Sequence, residues 1–234
     1  MHVKTRAEWE DEREELLEGL REFASVMKRA PLRNRGGLRG VSAFALWWFV
    51  RRADPEVVFE SGIWKGFSTW LIEQAAPRAE LFCFDPVIFL RRYVWGMGRT
   101  YRSKRAHYSG QDFSCAPIVE MTAGRTNVLA FFDDHQNKWP RLEQCRRFGI
   151  TDMVFDDNYR NPTHRSLEEE PRSLLETEIA EYEVFPALWP VDFEYGGTHI
   201  LHEGMGFPVD RALTAMYRER KWHSSVTYVK LRAR

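Results

Sequence analysis

Residues 56–69 read Glu-Val-Val-Phe-Glu-Ser-Gly-Ile-Trp-Lys-Gly-Phe-Ser-Thr, and the rest of the fold is predicted outward from this stretch. Its apolar start is rich in β-branched and aromatic residues and predicts a buried strand. Glu60 and two glycines, Gly62 and Gly66, follow, and apolar residues at helical spacing come next. Such a turn lets the backbone approach a ligand closely, because glycine has no Cβ. The spacing matches neither the phosphate-binding loop nor the full dinucleotide fingerprint with three glycines.

A second apolar run, residues 81–84, predicts the next strand and ends on Asp85. Asp85 follows Gly66 by about 20 residues, the distance at which an acidic side chain at the tip of a second strand contacts ribose hydroxyls. We therefore expect Glu60 and Asp85 to end adjacent parallel strands on either side of the glycine turn.

The segment from Glu60 to Thr69 resembles the first motif of class I S-adenosylmethionine-dependent methyltransferases, in the variant with Gly-x-x-x-Gly followed by Ser-Thr. This variant occurs in the branch that contains the metal-dependent macrolide sugar O-methyltransferases and the cephalosporin-hydroxylase-like proteins. The resemblance covers roughly residues 40–160. It implies an α/β fold with a doubly wound, mostly parallel Rossmann-like sheet and an antiparallel hairpin at the C-terminal edge. It also implies S-adenosylmethionine as cofactor, bound by Glu60, Gly62, Lys65, Gly66, Ser68 and Asp85.

Asp112 is a further candidate for cofactor binding. It follows a predicted third strand at residues 106–110 and resembles the acidic residue that holds the exocyclic amine of adenine in these methyltransferases. An aspartate before Phe-Ser-Cys-Ala is equally typical of a helix N-cap, so both interpretations stay open.

Strand and helix patterns alternate as far as residue 160, which is typical of a doubly wound sheet. Further strands are predicted at 126–132, 151–155 and 225–231, and helices at 5–29, 41–52, 138–148, 166–183 and 209–222. We expect residues 1–53 to form an N-terminal helical cap. Residues 54–234 are expected to form one compact S-adenosylmethionine-binding α/β domain.

Acidic side chains crowd the predicted C-terminal ends of the strands, where open parallel sheets bind ligands. Asp133 and Asp134 follow the fourth strand, and Asp156 and Asp157 follow the fifth. Four aspartates on neighbouring strand ends would repel one another, and a divalent cation removes that conflict. Oxygen ligands favour Mg²⁺, Ca²⁺ or Mn²⁺ over Zn²⁺. The two pairs also resemble the positions that hold magnesium beside the accepting hydroxyl in the metal-dependent branch.

A structural role for these carboxylates is the alternative, because aspartates at strand ends also cap helices and pair with arginines. His135 has the chemistry of a general base for a hydroxyl proton, and with Asp133 it is a predicted catalytic residue. A histidine in a loop is also often only a hydrogen-bonding partner. The segment from His199 to Glu203 matches no zinc motif, and its neighbouring glycines predict a loop.

Composition limits the class of protein. Lys and Arg number 34, and Asp and Glu also number 34, so no strong field draws the chain to nucleic acid or to an anionic membrane. No apolar stretch reaches the ~18 residues of a membrane span, and no signal-like segment follows the N-terminus. The three cysteines have no paired spacing, which is typical of a reduced, cytoplasmic protein.

The resemblance, together with the acidic pairs at the strand ends, implies an S-adenosylmethionine-dependent O-methyltransferase that acts, with Mg²⁺, on a hydroxyl of a saccharide or another small-molecule acceptor. Vicinal hydroxyls on a sugar or a phenolic diol would suit a bound cation. Two alternatives remain: a cephalosporin-hydroxylase-like or non-methylating protein on the same fold, and a nucleotide-sugar-binding Rossmann enzyme. A homo-oligomer is compatible with the sequence.

Overall fold

The computed structural model of this chain describes residues 1–32, 34, 37–88, 100–160, 162–195, 198–221 and 225–233. Within these residues, eight strands form one sheet, and two more strands form a separate ribbon.

The strands are β1 (His2–Val3), β2 (Val57–Ser61), β3 (Glu80–Phe84), β4 (Ala106–Ser109), β5 (Val128–Phe132), β6 (Asp152–Phe155), β7 (Ile179–Val184), β8 (Val191–Tyr195), β9 (Thr198–His202) and β10 (Thr227–Leu231). The α-helices are α1 (Arg6–Asp11), α2 (Arg13–Met27), α3 (Gly40–Ala53), α4 (Phe67–Ala75), α5 (Ile118–Met121), α6 (Lys138–Phe148), α7 (Arg172–Glu178) and α8 (Thr214–Arg218). Short 3₁₀ helices span Phe113–Cys115 and Leu167–Glu169.

The main sheet has the strand order β1-β7-β10-β6-β5-β2-β3-β4. The pairs from β4 through β6 are all parallel. Strand β10 runs antiparallel to both of its neighbours, β6 and β7. The predicted doubly wound, mostly parallel sheet is therefore confirmed, as is an antiparallel strand pair toward its C-terminal edge.

Both faces of the central strands are buried, as continuous apolar strands of a parallel sheet require. All five residues of β2 are buried, and so are all five of β5. Alternate side chains enter different clusters: Val58 packs with the helices α1 to α4, whereas Val57 and Phe59 pack on the opposite face with residues of α6.

The N-terminal helices cover one face of this sheet. Helix α3 is buried from Gly40 to Val50, and it packs in the same cluster as residues of α1 and α2. The continuous helix predicted over residues 5–29 is wrong, because Glu12 has φ −88° and ψ 6°, outside helical geometry, and separates α1 from α2. The predicted division of the chain at residue 54 stays a prediction.

Two predictions for the C-terminal part are also wrong. The helix predicted over residues 166–183 ends at Glu178, and residues 179–184 form β7, because this segment pairs with β10 and with β1. The segment predicted as a loop around His199 contains β9, which pairs with β8 along its whole length. Gly196 and Gly197, on which the loop prediction rested, lie outside the described residues.

Candidate functional site

The carboxyl ends of β2, β3, β5 and β6 lie at one edge of the sheet. The chain runs outward from β2 through β3 to β4, and in the other direction β5 leads to β6. Ligands of such sheets bind where the strand order reverses, which here is between β2 and β5. The predicted cofactor residues follow β2 and β3, and the predicted metal residues follow β5 and β6, so the topology brings the two sets together.

Gly62 makes the closest contact between these two sets. Its φ is +91°, and a Cβ added to it would lie 2.3 Å from the carbonyl oxygen of Asp133 and 2.9 Å from the nitrogen of Asp134. Any side chain at residue 62 would therefore separate the two strand ends. The glycine is required by protein packing, and this packing sets Asp133 directly beside the glycine turn.

Gly66 at the start of α4 is restricted in the same way. Its φ is +81°, and an added Cβ would lie 2.3 Å from the carbonyl oxygen of Tyr101. Lys65 accepts a backbone hydrogen bond from Tyr101 and extends its ammonium over the ring of Trp64, 5.6 Å from the centroid. Ser68 is buried in the first turn of α4.

Glu60 is fully buried at the end of β2. Its Oε2 accepts hydrogen bonds from the Thr69 hydroxyl, at 2.5 Å, and from the Cys83 thiol, at 3.1 Å. Its other oxygen, Oε1, has no hydrogen-bond partner. Burial raises the pKa of Glu60 to about 7, although the hydroxyls of Ser68 and Thr69 and the Cys83 thiol act in the opposite direction. Glu60 thus ties α4 and β3 to the end of β2.

Asp85 lies at the end of β3, facing the glycine turn. One carboxylate oxygen accepts from the backbone N–H of Ile63, at 3.2 Å, and the other accepts from that of Val87, at 3.1 Å. These two bonds hold the Asp85 carboxylate beside the glycine turn.

Arg141 pairs with two of the predicted site residues. Its guanidinium makes a bidentate contact with Asp112, at 2.9 and 2.7 Å, and its Nε donates to Asp134 at 2.9 Å. Asp112 also caps the 3₁₀ helix by accepting from Ser114, and Arg141 holds its pKa well below the usual range. Asp134 accepts a further bond from the Ser61 hydroxyl at 2.7 Å. Both aspartates therefore pair with an arginine, as expected if their role is structural.

Three of the four remaining predicted residues form a compact group, and the fourth, Asp156, is buried directly after β6. Asp133, His135 and Asp157 each offer a ligand atom within 4.8 Å of the other two. The Nε2 of His135 lies 3.5 Å from the Oδ2 of Asp157. Asp133, Asp157 and His135 thus meet at the ends of β5 and β6. The sequence did not decide whether Asp133 or Asp134 is the metal ligand; in the structure Asp134 pairs with Arg141, whereas Asp133 belongs to the group.

Two members of this group have strained backbones. His135 has φ 55° and Asp157 has φ 51°, in the left-handed region that residues other than glycine rarely occupy. Strained residues of this kind concentrate at functional sites, where the surrounding structure holds them in place.

Lys138 is a member of the site that the sequence analysis missed. It is the first residue of α6, it is 1% exposed, and its Nζ has no hydrogen-bond partner. Burial lowers its pKa, against the attraction of four negative charges, those of Asp134, Asp156, Asp157 and Asp133. A lysine four residues after the Asp133-Asp134 pair at a strand end was the available signal, since a helix that follows the strand turns its first residues back toward the same edge.

His164 was also missed. It is buried, its Nε2 lies 3.0 Å from the carbonyl oxygen of Asp157, and its ring packs edge-on against His135, with the centroids 5.8 Å apart. Asn158, the next residue after Asp157, is fully occupied by protein contacts: its amide donates to Tyr182 and its oxygen accepts from Leu167. The sequence carries no clear signal for His164, because it lies in a loop without a periodic pattern.

The cluster is electrostatically unfavourable for the protein alone. Burial raises the pKa of Asp133 well above its usual range, and the charges of Asp156 and Asp157 add to this effect. Burial also raises the pKa of Asp157, while Lys138 opposes the shift. The carboxyls of Asp133 and Asp157 therefore lie in a buried cluster in which ionisation of both is unfavourable, although the Lys138 ammonium opposes this effect.

A groove of about 940 Å³ lies at the opposite edge of the sheet and contains none of the predicted site residues. Its charged side chains pair with one another. Lys4 contacts Glu12 and Glu183, and Arg52 makes a bidentate contact with Glu183. We interpret this groove as a structural ion-pair network.

No family model matches the chain, and neither does any curated protein sequence. Among solved structures, an S-adenosylmethionine-dependent O-methyltransferase of Thermotoga maritima is 12% identical, with a TM-score of 0.48, over 92% of this chain and 72% of that one. An O-methyltransferase of Bacillus cereus in complex with S-adenosylhomocysteine is 12% identical, with a TM-score of 0.42, over 94% and 91%.

A CmcI structure with Mg and S-adenosylmethionine is 12% identical, with a TM-score of 0.37, over 55% of this chain and 58% of that one. The chain spans 57% of the length of CmcI in its apo structure. At these identities and scores, strand order and register remain the basis for assigning the fold. The parallel strands β4-β3-β2-β5-β6 with the antiparallel β10 beyond them define a class I methyltransferase fold. No helix within the described residues is long and apolar enough to cross a membrane.

The raised pKa of Glu60 predicts a pH-dependent cost to stability. An unfolded chain releases this proton near the ordinary value of 4.5, but the folded protein holds it until about pH 7. The free energy of unfolding should therefore fall as pH rises between these values and stay lower above them. We expect Glu60→Gln, which cannot ionise, to gain about 2–3 kcal/mol relative to wild type between pH 5 and pH 8.

Urea unfolding of both proteins at the two pH values measures this gain. Glu143→Gln, which removes an exposed carboxylate on α6, is the matched control. A difference between Glu60→Gln and wild type that does not change with pH would contradict the buried, protonated Glu60.

Proposed function

We propose that this protein is an S-adenosylmethionine-dependent methyltransferase that methylates a hydroxyl of a small-molecule acceptor, with a divalent cation held by Asp133 and Asp157. The observation that carries the proposal is the contact of Gly62 with the Asp133 carbonyl, because it sets the buried carboxyl cluster of Asp133 and Asp157 beside the glycine turn. Methyl donor and acceptor would then meet at the reversal of strand order, where α/β sheets bind ligands.

The residues around the glycine turn fit the proposed cofactor. The carboxylate of Asp85, held beside the glycine turn, is an acceptor of the kind that binds ribose hydroxyls. The Oε1 of Glu60, which has no hydrogen-bond partner among the described residues, is a buried polar atom that a ligand group would satisfy. When bound, S-adenosylmethionine supplies a methyl group already activated by the sulfonium charge. The protein then has to align a hydroxyl with that methyl group and remove its proton.

The acidic cluster fits a divalent cation. Asp133, His135 and Asp157 each offer a ligand atom within 4.8 Å of the other two, and a cation bound there would favour the ionised form of the two buried carboxyls. Carboxylate oxygens are the ligands that Mg²⁺ and Mn²⁺ prefer. When bound, such a cation orients acceptor oxygens and lowers the pKa of the hydroxyl. Lys138 has a buried ammonium, so we assign it the role of an internal counter-charge.

His135 is the group that we propose to accept the hydroxyl proton. Its side chain is 60% exposed, so an acceptor can reach it, whereas the Nζ of Lys138 is buried. The nearby carboxylate of Asp157 would stabilise the imidazolium that forms. In the balanced reaction, the methyl group passes from sulfur to oxygen and the hydroxyl proton passes to the imidazole.

Vicinal hydroxyls, as on a saccharide or a phenolic diol, are the acceptor class that fits two oxygens beside a cation. Cys83, Cys115 and Cys145 are free, which fits the proposed cytoplasmic location. A non-methylating protein on the same fold is distinguished by product analysis after incubation with S-adenosylmethionine and diols. Transfer of labelled methyl groups supports the proposal, and binding without any transfer to a broad set of diols contradicts it.

The proposed cofactor can be tested by calorimetric titration with S-adenosylhomocysteine. We expect wild type to bind it and Asp85→Ala to bind it about 5–150-fold more weakly, because charged hydrogen bonds to ribose contribute about 1–3 kcal/mol. Asp11→Ala, which removes an exposed carboxylate on α1, is the control and should bind as wild type does. Tight binding of NAD or of a nucleotide sugar, with no binding of S-adenosylhomocysteine, would refute the cofactor assignment.

The proposed cation site can be tested by comparing Asp133→Asn with Asp134→Asn. Asp133→Asn should weaken Mg²⁺ binding at least about tenfold without loss of stability in the metal-free protein, because it removes a buried repelling charge. Asp134→Asn should bind Mg²⁺ as wild type does but lose about 1–3 kcal/mol of unfolding free energy, because Arg141 loses a charged partner. Titration with Mg²⁺ and urea unfolding in EDTA measure both effects.

Binding of S-adenosylhomocysteine should be nearly the same in both variants, since its proposed contacts lie on β2 and β3. An equal response of wild type and Asp133→Asn to Mg²⁺, or no response in either, would show that Asp133 is structural.

A further inference from the structure

The loop after β6 returns to the start of α6, where the carbonyl and the N–H of Arg165 each make a hydrogen bond. The backbone N–H of Lys138 donates to the carbonyl of Arg165 at 3.1 Å. In return, the N–H of Arg165 donates to the side chain of Asn137 at 2.8 Å. His164, the residue before Arg165 in this loop, is thereby held between the segment that follows β5 and the residues that come directly after β6.

Both ring nitrogens of His164 have partners in the protein. Nε2 lies 3.0 Å from the carbonyl oxygen of Asp157, and a carbonyl oxygen only accepts, so Nε2 carries the proton. Nδ1 then accepts from the hydroxyl of Thr163, at 3.1 Å. With both nitrogens used, His164 is not available as a ligand or as a base.

His164 contacts both strained members of the acidic group, Asp157 and His135. Its Nε2 holds the carbonyl of Asp157, whose backbone is left-handed. Its ring makes an edge-to-face contact with the ring of His135, at an interplanar angle of 84°. A left-handed residue other than glycine returns to an ordinary conformation unless its surroundings prevent it. One buried imidazole here makes contact with both residues.

We infer that His164 is a positioning residue, which holds Asp157 and His135 in the geometry that binds the cation and the acceptor. This inference rests on the proposed function, since it assigns the support for that same site. Groups that orient the ligands of a metal typically change its affinity about 10–100-fold when they are removed.

Three substitutions of His164 separate positioning from general packing. In His164→Gln the amide nitrogen can take the place of Nε2 and donate to the Asp157 carbonyl. In His164→Asn the shorter amide reaches only the place of Nδ1, and His164→Phe keeps the ring against His135 without any donor. We expect the Asn and Phe variants to bind Mn²⁺ about tenfold or more weakly than wild type and the Gln variant to bind nearly as wild type does.

Electron paramagnetic resonance measures free Mn²⁺ in these titrations, and calorimetry with S-adenosylhomocysteine provides the second readout. Binding of S-adenosylhomocysteine should be unchanged in every variant, because the contacts of His164 lie on the β5 and β6 side. If the Phe variant does not fold, the contrast between Gln and Asn still decides, as both place an amide at residue 164.

Equal losses of Mn²⁺ affinity in the Gln and Asn variants, or no loss in either, would overturn the positioning role. Binding of Mn²⁺ by wild type would still support the proposed cation site in that case. A wild type that binds S-adenosylhomocysteine but no Mn²⁺ would overturn the cation site and the positioning role together. A parallel loss of both ligands in the Asn variant would show that His164 acts only on the fold, which also overturns the inference.

Discussion

The contact between Gly62 and the peptide of Asp133 and Asp134 is the constraint on which the site depends. A Cβ at residue 62 would lie 2.3 Å from the Asp133 carbonyl oxygen, so only glycine allows the ends of β2 and β5 to meet this closely. The glycine turn and the first acidic pair therefore occupy one small region. A carboxylate cluster far from the glycine turn would have no access to a methyl donor bound at that turn. Here the backbone of the turn contacts the peptide that joins Asp133 and Asp134, so the turn and the cluster are adjacent.

Ion pairing separates the acidic residues with a structural role from those of the proposed cation site. Arg141 compensates Asp112 and Asp134 and joins the ends of β4 and β5. The buried ammonium of Lys138 attracts the carboxylates at the ends of β5 and β6, whereas burial disfavours the ionised form of Asp133. The closely spaced buried carboxyls of Asp133 and Asp157 and the strained backbones of His135 and Asp157 are costs to the free protein. The proposed cation would offset the first cost, and the contacts of His164 would offset the second.

Sequence patterns predicted the strand ends well, because apolar runs, glycines and acids are local features. The order strand, turn and helix located Gly62 and Asp85, and consecutive strands located the aspartates. Sequence could not separate Asp133 from Asp134, since their roles depend on Arg141, which reaches them only in the folded sheet. Lys138 was missed although its position shortly after the Asp-Asp pair was a signal, and His164 was missed because it lies in a loop without a periodic pattern. Strand β7 was mistaken for helix because Glu181 and its neighbours favour a helix locally, while pairing with β10 stabilises a strand.

Anomalous diffraction from a crystal grown with Mn²⁺ and S-adenosylhomocysteine tests the central claim most directly, since it locates both ligands in one experiment. The account predicts a manganese peak bound by carboxylate oxygens of Asp133 and Asp157, with the ribose of S-adenosylhomocysteine against Asp85 and its sulfur directed toward the metal. A manganese peak bound instead by Asp112 or Asp134, or S-adenosylhomocysteine bound away from the glycine turn, would contradict it.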